Sequence, residues 1–152
     1  MKSLQDIFAP HNQCFGCGPS NLEGLQIKSF VKDDYLYANF VPKKHHQAFD
    51  NILSGGICST LLDCHSNWCA AYSIMQHTKS LTPPATVTAK FTIDLLLPTP
   101  MDYPIELKAW HVEVSHKKAI IQSYIMVNGK ITARFEGIFV AVSKEHAAFD
   151  RW

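Results

Sequence analysis

The stretch "NILSGGICSTLLDCHSNWCAAYSIMQH", Asn51 to His77, opens on two glycines and then stays apolar to its end. Histidines aside, Asp63 is the one charged residue between Leu53 and Thr78. Ile57, Leu61, Cys64, Trp68, Ala71 and Met75 recur at spacings of four and three, which is one stripe of an α-helix. Cys58, Leu62 and Cys69 form a second apolar stripe beside it. A helix apolar on nearly every side has to be enclosed by the rest of the fold. "HTKSLTPPA" ends it, because a pair of prolines cannot continue a helix.

The flanking sequence supplies strands for that enclosure. Upstream, "PSNLEG" reads as a turn, and "LQIKSFVKDDYLYANFVP" (Leu25 to Pro42) as two strands about a tight Asp33-Asp34 turn. "KKHHQAFDN" (Lys43 to Asn51) reads as a polar loop. Downstream, "TVTAKFTIDLLL" (Thr86 to Leu97) alternates Val87, Ala89, Phe91, Ile93 and Leu95 against Thr88, Lys90, Thr92 and Asp94. "IELKAWHVEVSH" (Ile105 to His116) alternates with a phase slip near Trp110, the mark of a bulge. "AIIQSYIMV" and "ITARFEGIFVAV" flank "NGK", a hairpin signal. The tail after Ser143 carries no clear pattern. Two strands, one long helix and about four further strands predict an α+β fold, an antiparallel sheet wrapped around one central helix. At 152 residues the chain reads as a single domain over 1–152, with its core from about residue 14 to residue 142.

A net charge of +1 argues against bulk nucleic-acid binding, which needs a strong positive field. It leaves room for a small anionic ligand held by a few lysines. No apolar run is long enough for a membrane span, and "MKSLQDIFAPHNQ" lacks the apolar core of a signal peptide. The expectation is a soluble cytoplasmic protein. Five cysteines, an odd number, point to free thiols rather than bridges.

Ser59, Asp63, Ser66 and Asn67 make the third stripe of the helix. One reading is a narrow solvent-facing stripe. The other is a site: a lone carboxylate among small polar groups, partly desolvated, with base strength raised toward neutral pH. Gly55 and Gly56 stand where the helix begins, and a helix N-terminus presents unpaired N–H groups and partial positive charge. Without Cβ atoms, that backbone admits close approach by an oxygen gaining negative charge in acyl transfer. A plain loop-to-helix turn would use the same glycines. Asp63 lies roughly 10 Å further along the helix.

"HNQCFGCGPSNLEGLQIK" followed by "LSGGICSTLLDCHSNWCAA" and "LLLPTP" resembles the hotdog-fold thioesterases of the phenylacetate-pathway (PaaI-like) type. The resemblance implies the hotdog fold and hydrolysis of acyl-CoA thioesters, with coenzyme A part of the substrate and no separate cofactor. It implies a homodimer, or a dimer of dimers, with active sites between subunits. Asp63 matches the family's general base or nucleophile, and the N–H of Gly56 its thioester-polarising donor. Thr88 matches an assisting Ser or Thr by position, and Lys117 and Lys118 the basic residues near a strand turn that meet the coenzyme's phosphates. Where many members read His-Gly-Gly, this chain has Ser54-Gly55-Gly56; Ser54 offers a hydrogen bond or a helix cap instead. Gln47 and Asn51 are substitutes for upstream substrate-binding residues of the family. The alternative is a hotdog module that binds acyl-CoA or a related acyl ligand without turning it over.

Cys14-x-x-Cys17 has the spacing of half a zinc knuckle, but no second pair follows, and a glycine-rich turn without metal is the expectation. His65 points to a different side of the helix from Asp63, as a packed or supporting histidine or a substrate contact. His45 and His46 belong to a solvated loop. Trp68, Tyr72 and Trp110 read as core or interface aromatics.

Overall fold

The segment read as a helix is one: α2 runs over Gly55–Thr78, and a six-stranded antiparallel sheet curves around it. The computed structural model describes residues 1–152. A short α1 (Leu4–Phe8) precedes β1 (Phe30–Lys32) and β2 (Tyr35–Phe40). A single 3-10 turn (Lys44–His46) and a small hairpin of β3 (Gln47–Phe49) and β4 (Ile52–Leu53) lead into α2. Then come β5 (Thr86–Leu95), β6 (Ile105–Val114), β7 (Lys118–Val127) and β8 (Lys130–Ala141). The sheet order is β1-β2-β6-β7-β8-β5, so β1 and β5 are its edges.

Alternation sets which face of the sheet meets the helix. Ile105, Leu107 and Ala109 of β6, Ala119, Ile121 and Ile125 of β7, and Ala133, Phe135 and Phe139 of β8 are buried. From α2 they receive Leu61, Leu62, Trp68, Cys69 and Ile74. The hairpin at Asn128-Gly129 has both central residues at positive φ, 48° and 76°, the two-residue turn that suits twisted strands. Lys79, at φ 55°, closes α2 in the left-handed conformation more usual for glycine.

Polar side chains also fasten helix to sheet. Ser66 and Ser123 share a hydrogen bond of 2.8 Å. His65 is fully buried and bonds through Nδ1 to Ser29 Oγ at 2.8 Å and through Nε2 to the Leu36 carbonyl at 3.2 Å. Since a carbonyl only accepts, Nε2 carries the proton and Nδ1 accepts from Ser29. Gln5 completes the chain, accepting from the Ser29 N–H at 2.8 Å and donating to its Oγ at 3.0 Å.

The structure departs from the sequence reading in three places. Leu25–Ser29 is not strand; only Phe30–Lys32 pairs with β2, beyond a residue, Gln26, at φ 50°. Lys43–Asn51 is not a featureless polar loop but a 3-10 turn and a strand, and His46 is buried there against the Phe40 ring. The bulge expected near Trp110 is present in β6, at Val112. A second bulge, at Ala89 of β5, had no signal in the alternation. The tail folds back: Trp152 stacks on Trp68 with ring centroids 4.4 Å apart and donates to the Pro84 carbonyl.

Candidate active site

Asp63 is half-buried on α2, and the Thr88 hydroxyl of β5 donates to its Oδ1 at 2.7 Å. The bulge makes that contact possible. Simple alternation puts Thr88 on the opposite face from Phe91. With Ala89 inserted, Thr88 pairs with Phe139 and Phe91 with Gly137, so both face the helix. One turn further along, Asn67 accepts from the Thr86 hydroxyl and donates to the Thr86 carbonyl. Asp63 and Asn67 of the polar stripe are therefore turned toward the edge strand, and Ser66 toward β7, not toward bulk solvent.

Burial raises the pKa of Asp63 above the ordinary aspartate value. The Thr88 hydrogen bond opposes that shift, the nearby Cys14 sulfur adds to it, and the Arg151 guanidinium opposes it. A carboxylate partly freed of water, still ionisable and fixed by a hydroxyl donor, can take a proton from water or attack an acyl carbon.

Ser54 occupies the N-cap of α2. Its backbone carbonyl accepts from the Cys58 N–H at 2.9 Å, and its N–H donates to the His46 carbonyl at 2.9 Å. Its hydroxyl makes no capping bond, contrary to the cap role the sequence allowed. The N–H groups of Gly55, Gly56 and Ile57 precede that first helical bond. Gly56 is exposed, and a Cβ added there would meet only Ser54 Oγ, at 3.6 Å. Nothing within this chain requires glycine at that position; the open space lies outside it.

The predicted residues thus fall into separate groups. Asp63 and Thr88 touch; Ser54, Gly55 and Gly56 sit together about two helical turns away. Gln47 and Asn51 are exposed beside the helix start, where Gln47 pairs with Leu53 and Asn51 bonds to Asp102. Lys117 in the β6–β7 turn and Lys118 at the start of β7 are exposed; the Lys117 carbonyl accepts from Ala141, the partner of Thr86, at the end of the sheet that carries Thr88. His65 departs from a substrate-contact role: it lies inside the core with both ring nitrogens engaged, and burial pushes its pKa down to about 4.

Two groups near Asp63 were not singled out for it from sequence. Arg151 donates to the Thr86 carbonyl at 2.9 Å, placed by a tail without periodicity, and Cys14 comes from a distant loop. An apolar cleft of about 310 Å³ opens at Gly55, lined by Phe49, Ile52, Leu53, Leu96 and Leu97 among others.

Neither a protein-family model nor a curated protein matches the sequence. Solved structures do match by fold. A thioesterase superfamily protein from Shewanella loihica superposes with a TM-score of 0.71 at 27% identity, over 91% of this chain and 99% of that one. The PaaI protein of the E. coli phenylacetic acid degradation operon superposes with a TM-score of 0.65 at 16% identity, over 78% of this chain and 81% of that one. The chain has the hotdog fold, a six-stranded antiparallel sheet on one long helix, and is similar to thioesterase superfamily proteins. No helix in it is long and apolar enough to cross a membrane.

Proposed function

We propose, from a hotdog fold similar to that of thioesterase superfamily proteins, that this chain hydrolyses acyl-CoA thioesters. The observation that carries the reading is the Asp63–Thr88 pair, the one carboxylate of a long apolar helix held by a hydroxyl on an edge strand. Asp63 takes a proton from water while the water oxygen attacks the thioester carbon. The oxyanion forms against the Gly56 N–H and the positive end of the helix dipole. The C–S bond then breaks, and coenzyme A leaves as the thiol with the proton from Asp63. Direct attack by the Asp63 carboxylate is the variant route.

Asp63 and Gly56 of one chain are too far apart to serve one carbonyl, so the site forms between subunits. The joining edge is β5, ten residues long with Phe91 and Leu95 at 41% and 56% exposure, against three residues for β1. The cleft at Gly55 takes the acyl group. Lys117 and Lys118 suit the phosphates, and Gln47 and Asn51 line the approach. Five free thiols suit a reducing, cytoplasmic compartment.

The second reading is a hotdog dimer that binds acyl-CoA without fast turnover. The Ser54 hydroxyl, unbonded where the family commonly has a histidine, favours it. Thiol release from acetyl- to palmitoyl-CoA, with phenylacetyl- and benzoyl-CoA, decides between the two. Hydrolysis of one class, lost roughly a hundredfold or more in Asp63→Asn, supports the enzyme. Binding without thiol release from any of them supports the module.

A further inference from the structure

The opening loop folds onto α2 so that three thiols from two distant stretches meet. The Sγ atoms of Cys14, Cys17 and Cys64 all lie within 4.8 Å of one another, with Cys14 and Cys64 at 3.8 Å. That separation is too long for a disulfide, whose sulfurs stand about 2.05 Å apart. It fits the edge of a tetrahedron: two thiolates each about 2.3 Å from a zinc ion lie about 3.8 Å apart. Residues between the cysteines are shaped for this approach. A Cβ on Gly16 would sit 2.3 Å from Cys64 Sγ, so only glycine at 16 lets the loop close on the helix. The Gly18 N–H donates to the Cys14 carbonyl at 2.9 Å and completes the turn.

The surroundings are those of anionic sulfur. Backbone N–H groups of Cys17 and Gly16 turn toward the Cys14 sulfur. The indole N–H of Trp68, in a residue 1% exposed, has no hydrogen-bond partner and lies beside the Cys17 sulfur. A buried donor without an acceptor is costly, and a thiolate would satisfy it. Cys17 and Cys64 are 3% and 8% exposed, whereas Cys14 is half-exposed and gives solvent a path to the cluster. Three sulfurs ringed by donors, with no cationic side chain bonded to them, lack a positive charge.

We propose that Cys14, Cys17 and Cys64 bind one thiophilic divalent cation, zinc in the first place, with three thiolate ligands and solvent in the fourth position. The ion ties the opening loop to α2 at the residue next to Asp63. The site stands on its own geometry and is independent of the proposed hydrolysis.

The test uses the full chain, stripped with a chelator under reducing conditions and then titrated with zinc and, separately, cobalt(II). Expected are one zinc per chain, a higher melting temperature, and sulfur-to-cobalt charge-transfer absorption of the strength three thiolates give. Cys14→Ser, Cys17→Ser and Cys64→Ser should each weaken zinc by more than the roughly 10- to 100-fold that outer partners carry, whereas Cys58→Ser and Cys69→Ser should leave it unchanged. If the ligand variants do not fold, cadmium bound to the wild-type chain reports the number of sulfur ligands by its NMR shift. A folded wild-type chain with no zinc and no cobalt band overturns the proposal. So does a band that persists in all three ligand variants, or a cadmium shift without sulfur ligands.

Discussion

The Thr88 hydroxyl holds Asp63 in its charged form, and acid sensitivity reads that contact directly. Asp63 must be ionised to act as a base, so the rate falls as pH drops through its pKa. That pKa lies above the ordinary aspartate value because burial outweighs the hydrogen bond. Thr88→Val removes the donor and raises the pKa further, so the acid limb of the kcat/KM profile should move to higher pH while the fold is kept. Gly56→Ala separates catalysis from stability in the same way. The added methyl meets only Ser54 Oγ at 3.6 Å, and alanine in a helix is favoured over glycine by about 0.5–1 kcal/mol. Thermal denaturation should show equal or higher stability, and thiol-release assays a loss of activity. Activity equal to wild type would remove Gly56 from the oxyanion site.

Elements differ in how far their sequence reveals them. The helix was legible because its stripes are long and the glycine and proline boundaries unambiguous; the structure begins it at Gly55 and ends it at Thr78. The strands from Ile105 onward were legible by alternation and by Asn128-Gly129. What alternation does not carry is where the count slips: Ala89 is an ordinary small residue, yet it decides which face Thr88 takes. Gln47–Phe49 escaped because a three-residue strand in a polar stretch leaves no period to see. The meeting of Cys64 with Cys14 and Cys17 is tertiary, and spacing along the chain is silent on it. His65 shows what such tertiary fastening does to stability. Its pKa is about 4 in the fold against an ordinary value of 6.5, so only the unfolded chain takes the proton between those values. Stability from this residue is full above pH 6.5 and declines toward pH 4, by about 3 kcal/mol at most. Urea denaturation of wild type and His65→Gln across that window should show the variant losing less stability with acid.

At the scale of the whole molecule, the proposed division of labour between subunits has a sharp test. Light scattering should give at least twice 17.1 kDa. Asp63→Asn and Gly56→Ala chains are each expected to be inactive as homodimers. Unfolded together and refolded, they should form heterodimers in which one site keeps both wild-type residues. Random pairing then restores about a quarter of the wild-type activity, since half the dimers are mixed and one of their two sites is intact. No recovery would mean that Asp63 and Gly56 act within one chain.

The bulge in β5 has a consequence for how this strand tolerates insertion and deletion. Residues before and after Ala89 obey opposite reading frames, so loss of that single codon would bring the whole strand into one frame. The ladder to β8 could re-pair without a gap, and the edge would still look like a well-formed strand. Thr88 would still stand opposite Phe139, as Phe91 stands opposite Gly137, so it would keep its face toward the helix and its hydroxyl on Asp63. A deletion at Ala89 should therefore leave turnover near wild type, and a loss of activity with the sheet intact would show that the bulge itself, not only the face it sets, positions Thr88.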